Sequence, residues 1–371
     1  MKIAGIIVEY NPLHNGHLYH IQKTRELTNC DLLICVMSGH FVQRGEPTII
    51  NKWIRTETAL NSGIDLVLEL PYPFVVQSAK HFANAAVRIL ELAGCTDIVF
   101  GSESNDIESL KLMAELPINV DGLKENLNMG MGYPKAYGLV QGSFHPNDIL
   151  GIAYMKAISE TNITAHCIQR TNHYHDETLN HSIASATAIR KALIEHKDVS
   201  NFTPMADDLL INKNIQWEDY FDYLKTKLLT INKEDLQTIF LMDEGLENHF
   251  KKQIKQSDTF EEFMQNCIGR RYTRARIQRA CVHLLTHTKR TDIPNIQSLN
   301  SIRVLGFNQH GQDYLKTLRE ETVKVASRFN QLPLYLRELE LKATQAYAYA
   351  LDKESRNKLI QREIEGPVIH K

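Results

Sequence analysis

An apolar run, Ile3–Val8, passes through Glu9-Tyr10-Asn11-Pro12-Leu13-His14-Asn15-Gly16-His17 into a helical pattern over Gly16–Leu27, and this junction constrains the fold more than any other segment. The run reads as a buried first strand, and Asn-Pro marks the turn that ends it. Two histidines, His14 and His17, then flank a glycine where strand hands over to helix. A helix N-terminus offers free N–H groups and a positive dipole end to a phosphate. Gly16 is read as allowing close approach of a ligand, and the imidazoles as donors to an oxyanion in a transition state. The bland alternative is a turn that happens to carry two surface histidines.

Strand-like runs recur at Asp31–Met37, Asp65–Leu70, Asp97–Phe100 and Thr164–Ile168. Helical patterns lie between them at Asn51–Asn61, Ala79–Ala93, Asp106–Glu115 and Asp148–Ser159. Near-continuous apolar strands alternating with helices predict a doubly wound, parallel α/β sheet, Rossmann-like, with right-handed crossovers. Such sheets bind ligands at strand C-termini near the switch in strand order. Three suggestive segments fall there: Glu9–His17, Ser38–Pro47 and Gly101–Ser104. The catalytic domain is expected over residues 1–200. Asn201–Trp217, with Pro204, reads as a linker or domain edge, and residues 201–371 as a mostly helical second domain. Ser301–Phe307 is its one clear strand, and Leu332–Arg356 reads as helical.

The 371 residues carry a net charge of −2, so overall charge does not announce a nucleic-acid partner. No apolar stretch approaches a membrane span, and no leader pattern precedes the first strand, so a cytoplasmic protein with no membrane association is expected. Six cysteines include no Cys-x-x-Cys pair, which argues against structural zinc. His173, His175 and His181, with Asp176 and Glu177, lack metal-site spacing and read as a plain loop.

Ser185-Ala186-Thr187-Ala188-Ile189-Arg190 reads as a helix start with Ser185 as cap, and Arg190 one turn inside it. Alone it is an ordinary cap; beside the histidine pair it reads as a phosphate contact through Ser185, Thr187 and Arg190. His40, Gln43 and Arg44, in the glycine-bearing loop after the second strand, are expected to wall a substrate pocket. Lys52 and Arg55 are available to an anionic substrate, though a solvated role is the plainer one. Gly101 would let a nucleotide pack on the backbone. Glu103 either meets a ribose or caps the helix at Asp106. Asn147 is read as the cap of the next helix and a base or ribose contact, and Arg170 as a phosphate contact. Finally, Gly269–Arg290 holds Arg270, Arg271, Arg274, Arg276, Arg279, Lys289 and Arg290 with no acidic residue, a footprint for phosphates.

The first motif resembles the leading signature of the HIGH-type nucleotidyltransferases, and Ser185–Arg190 resembles their second, with Ala184 and Ala186 departing from it. Together with Ser38-Gly39-His40-Phe41-Val42-Gln43-Arg44-Gly45-Glu46-Pro47, these are similar to the bacterial tRNA(Met) cytidine acetate ligases over the whole chain, Ile302–Phe307 included. The resemblance implies that ATP is a co-substrate, accompanied by Mg2+, and that acetate is activated as acetyl-adenylate. The acetyl group would pass to N4 of the wobble cytidine in the anticodon of elongator tRNA(Met). ATP would lie against Ile7, Val8, Glu9, Tyr10, Asn11, Pro12, Leu13, His14, Asn15, Gly16, His17, Leu18, Tyr19 and His20, and against Gly101, Asn147, Arg170, Ser185, Thr187 and Arg190. His14 and His17 would be catalytic. Arg270, Arg271, Arg274, Arg276 and Arg279 would bind tRNA. Two rivals remain: a small-molecule adenylyltransferase, and an RNA-binding protein on a degenerate nucleotidyltransferase fold. No Lys-Met-Ser-Lys-Ser run supports an aminoacyl-tRNA synthetase.

Overall fold

Strands β2 (Leu32–Ser38) and β3 (Leu66–Leu70) are buried at every position, as central strands covered on both faces must be. The computed structural model describes residues 1–117, 120–129, 145–170, 183–320 and 323–371. Around these two strands lie β1 (Ile3–Val8), β4 (Asp97–Ser102) and β5 (Thr164–Gln169), then β6 (Ser301–Phe307), β7 (Lys324–Ala326) and β8 (Val368–Ile369). The order is β5-β4-β1-β2-β3-β6-β7, with β8 also on β6. β1 runs parallel to both β2 and β4, so the order reverses at its flank. The histidine motif leaves the C-terminal end of β1 at that switch point.

The sheet is not confined to residues 1–200, nor wholly parallel. β6 returns from the C-terminal half and pairs antiparallel with β3, Leu66 opposite Phe307 and Glu69 opposite Arg303. A buried ionic cluster accompanies this return. Lys52 Nζ lies 2.6 Å from Glu69 and 2.8 Å from Glu363, and Arg303 lies 2.7 Å from both carboxylates. Lys52 is therefore a core residue and not a solvated charge. Burial, reinforced by Glu69, pushes the neighbouring Glu340 carboxyl up to about 8.

The C-terminal helical stretch is two helices, Leu334–Ala348 and Lys353–Ile364. Asp352 caps the second by accepting from Glu354 and Ser355 N–H groups. The basic stretch forms the helix Arg274–Leu285, capped by Thr273. Asn201–Met205 is not a free linker. Phe202 O accepts from Asn15 N at 2.9 Å, Asn201 O accepts from Asn15 Nδ2 at 2.8 Å, and Thr203 Oγ1 donates to Leu13 O at 2.5 Å. This brace holds the histidine loop from outside.

Candidate active site

His14 is the N-cap of the helix Asn15–Thr28, and the cap is reciprocal. His14 Nδ1 accepts from Gly16 N at 3.1 Å, while His17 Nδ1 accepts from His14 N at 3.2 Å. An imidazole nitrogen that accepts a backbone N–H carries no proton, so in each neutral ring the proton sits on Nε2. The rings stack with centroids 3.8 Å apart and planes 28° from parallel. Burial, reinforced by the Arg170 and Arg190 guanidiniums, pushes His14 down to about 3. His17 is likewise held well below the usual imidazole range by burial and by His14. The pair is thus two neutral donors at a helix N-terminus.

Gly16 has a more specific role than ligand approach. A Cβ there would lie 2.9 Å from His14 Cε1 and 3.0 Å from Nδ1, so any side chain would push the imidazole off the helix start. Tyr10, with φ of 49°, turns its ring edge-on to His17 at 4.9 Å. Ile7 and Leu18 pack on the core, and Val8 and Leu13 belong to it. His20 Nε2 meets Val99 O at 3.1 Å and ties the helix to β4; burial pushes this ring down to about 4. Asn11 Oδ1 accepts from Ile49 N at 2.7 Å, coupling the loops after β1 and β2.

The second signature arrives from the other side. Ser185 caps the helix Ala186–Ile194 by accepting from Ala188 N at 3.0 Å. Arg190 then donates to Asn11 O at 2.7 Å, to Glu46 Oε2 at 3.1 Å and to Thr187 Oγ1 at 3.4 Å. The guanidinium joins the first signature, the second signature and the loop after β2 at one point.

Arg170 donates to Asn147 Oδ1 at 3.3 Å, and its stem covers Gly101, where a Cβ would lie 3.1 Å from Arg170 Cγ. Gly101 makes room for the arginine stem. Asn147 is not the helix cap. Pro146 takes the first helical position after His145, as its fixed φ and missing N–H favour. Asn147 Nδ2 instead donates to Glu103 at 2.5 Å, and Glu103 Oε2 accepts the Asn147 and Asp148 N–H groups at 3.1 Å. Glu103 therefore caps this helix, and Asp106 caps its own.

The loop after β2 departs from expectation. His40 is buried, stacked on Tyr347 at 4.5 Å and 3.8 Å from Glu363, so it faces the core and not a substrate. Gln43 N donates to Glu9 Oε1 at 2.9 Å, and Gln43 Nε2 to Gln77 O at 2.7 Å. Arg44 is half-buried near Glu9. Arg55, fully buried, donates to Glu9 O and Ser38 O at 2.5 and 3.1 Å and to Gly39 O; it staples the ends of β1 and β2. Gly45 has φ of 81°, and a Cβ there would lie 2.4 Å from Arg279 N, so this loop rests backbone to backbone on the basic helix.

The basic segment divides. Arg270 and Arg271 are exposed. Arg274 pairs bidentately with Glu261 at 3.1 and 2.5 Å, and Arg276 pairs with Asp243. Arg279 turns inward toward Gln43 O at 3.5 Å. Glu69, Glu340 and Glu363 are the one group of carboxylates close enough to hold a metal among the described residues, and Lys52 and Arg303 already fill it. His173, His175 and His181 lie outside the described residues.

A family model described as HIGH Nucleotidyl Transferase matches residues 1–363. The chain is 40% identical to a tRNA(Met) cytidine acetate ligase of Anoxybacillus flavithermus over 99% of each chain. It is 37% identical to the protein of that name from Bacillus subtilis, over 98% of this chain and 96% of the relative. The crystal structure of apo Thermotoga maritima TmcAL superposes with a TM-score of 0.90 at 32% identity, covering 100% of this chain and 99% of that one. The same protein bound with alpha-thio ATP superposes with a TM-score of 0.88 at 32% identity, with the same coverage.

Proposed function

The chain belongs to the HIGH nucleotidyl transferase family, and from that premise we propose that it is an ATP-dependent ligase that activates acetate and acetylates N4 of the wobble cytidine of elongator tRNA(Met). The observation that carries the reading is the meeting of the two signatures at Arg190, beside two imidazoles fixed as neutral Nε2–H donors. Full-length relatives that share the ligase name support the substrate, and the ATP-analogue complex of the Thermotoga protein supports the nucleotide.

In the first step an acetate oxygen attacks the α-phosphorus, and the bond to the bridging oxygen of pyrophosphate breaks. His14 and His17 donate to the oxygens that gain charge, and the helix N-terminus adds its dipole. Arg190 and Arg170 take the anionic phosphates. Neutral histidines suit this step, because each keeps a donor without needing to gain or lose a proton. Mg2+ brought by the ATP phosphates would supply charge neutralisation there; among the described residues the one carboxylate cluster close enough to hold a cation, Glu69, Glu340 and Glu363, is already occupied by Lys52 and Arg303 and would not hold it. In the second step the cytidine amine attacks the acetyl carbonyl carbon, the bond to the phosphate oxygen breaks, AMP leaves, and the amine releases one proton. Most of the catalysis is positioning and charge stabilisation.

The test is acetate-dependent exchange of labelled pyrophosphate into ATP. Exchange that requires acetate supports the adenylate step; exchange with a nucleoside-phosphate cofactor precursor in place of acetate would favour the small-molecule adenylyltransferase.

A further inference from the structure

Beyond Arg190 lies a cleft of 410 Å³, walled on one side by the nucleotidyltransferase half and on the other by the helical half. Ile49, Leu193, Ile215 and Trp217 form its apolar wall, and Trp217 is fixed by stacking on Phe260 at 4.7 Å and by donating Nε1–H to Gly45 O at 3.1 Å. Its size is that of a small-molecule site. Its charge is unusual for a protein that handles polyphosphates. Three carboxylates, Glu46, Glu218 and Glu261, line it against two guanidiniums, Arg190 and Arg274. Each guanidinium already has a carboxylate partner, Arg190 with Glu46 and Arg274 with Glu261. Away from Arg190 the lining, with Glu218 the carboxylate left over from these pairs, disfavours a further anion. It favours an uncharged, flat body that donates hydrogen bonds.

One lining atom still lacks a donor. Asn214 Oδ1 is buried and accepts no hydrogen bond from the described residues. A buried acceptor left unpaired is costly, and a donor on a ligand recovers that cost. Glu46, part-exposed at the cleft wall, is a second acceptor, and its arginine partner is the residue that contacts the first signature.

We propose that this cleft receives the acceptor base of the RNA, the exocyclic amine of a cytosine donating to Glu46 and Asn214 while its ring lies on the apolar wall. The inference deepens the proposed function and rests on it for the reaction, but base recognition is measurable without that reaction. Uracil carries a carbonyl where cytosine carries the amine, so the same acceptors reject it. Arg190 joins this cleft to the first signature, since it lines the cleft and donates to Asn11 O.

Trp53 and Trp217 are the two tryptophans of the chain, so the Trp53→Phe protein reports on the cleft by Trp217 fluorescence. With ATP present to fill the nucleotide site, cytidine 5′-monophosphate and uridine 5′-monophosphate are titrated against this protein and against its Glu46→Gln and Asn214→Leu derivatives. The expected result is a preference for cytidine of about tenfold, the worth of one net hydrogen bond, that both derivatives lose. Glu46→Gln tests recognition and not packing, since its amide can donate to the uracil carbonyl and should recover uridine binding. Equal binding of the two nucleotides, or a preference that survives in both derivatives, overturns the proposal. Acetate-dependent pyrophosphate exchange, run in parallel on the unaltered chain, separates the two readings. Cytidine preference without exchange leaves the base site standing and removes the ligase reaction.

Discussion

In the proposed mechanism His14 has two separable tasks, and a pair of substitutions divides them. Its Nδ1 caps the helix Asn15–Thr28 through the Gly16 N–H at 3.1 Å, and its Nε2–H is the donor proposed for the reacting phosphate. Asn is among the best N-cap residues and its Oδ1 takes the place of Nδ1, so His14→Asn keeps the cap and deletes the catalytic donor. His14→Ala deletes both. Loss of one preorganised oxyanion donor costs about 3–4 kcal/mol, or ~10²–10³ in rate. Loss of the cap costs ~1 kcal/mol of stability. Both variants should therefore lose about the same factor of ~10²–10³ in acetate-dependent pyrophosphate exchange, and only the alanine variant should lose stability in urea. An asparagine variant that keeps more than about a tenth of the rate, or a rate loss that tracks the urea midpoint, would refute the division, because the donor, and not the cap, should account for most of the lost rate.

Gly16→Ala should leave the unfolding free energy from urea titration within ~1 kcal/mol, since Ala suits a helix better than Gly, yet lower exchange by at least tenfold, on the order of a disturbed donor, because its Cβ meets His14 at 2.9 Å. Arg190→Lys should raise the KM for ATP and lower the rate by about 10²-fold, as an ammonium cannot hold Asn11 O and the phosphates together; steady-state kinetics at varied ATP decide it. His14 and His283 are held at about 3, and His20 and His40 at about 4, chiefly by burial. Below pH 6.5 the unfolded chain binds protons that the folded chain refuses. Stability should therefore fall from pH 6.5 down to about 4 for His20 and His40 and about 3 for His14 and His283, by about 1.4 kcal/mol per histidine at pH 5.5, seen as a falling urea midpoint. Arg270→Glu with Arg271→Glu should weaken tRNA binding and flatten its salt dependence while exchange persists; filter binding at several salt concentrations checks this, and unchanged affinity removes the pair from the RNA surface.

The β1-loop-helix junction is legible in sequence because its signals are local: an apolar run, a turn, a cap and a helical period lie within about one helix length. The same holds for Ser185, whose cap needs only the residues that follow it. What escapes local reading are partners distant along the chain. Glu261 and Asp243 pair with Arg274 and Arg276, so an arginine run with no acid in its own window is partly neutralised across space. Arg55 has the sequence context of any surface arginine on a helix, yet three carbonyls from two strand ends converge on it. Asn201–Trp217 reads as a linker or domain edge from its polar and proline content, but at its start Asn201 O, Phe202 O and Thr203 Oγ1 brace the histidine loop. β6 is visible as a strand, but its partner β3 lies more than two hundred residues earlier, and no period within the segment can name it. Two glycines repeat the lesson in miniature. Gly16 and Gly101 both read as close approaches of a ligand, and the groups that approach them are the chain's own His14 and Arg170.

The most direct measurement incubates the purified protein with ATP, labelled acetate and bacterial tRNA, digests the RNA, and follows the label into nucleosides. The account predicts label in N4-acetylcytidine that depends on ATP and is lost in His14→Asn. ATP consumption with no label in RNA, or label that persists in His14→Asn, would contradict it.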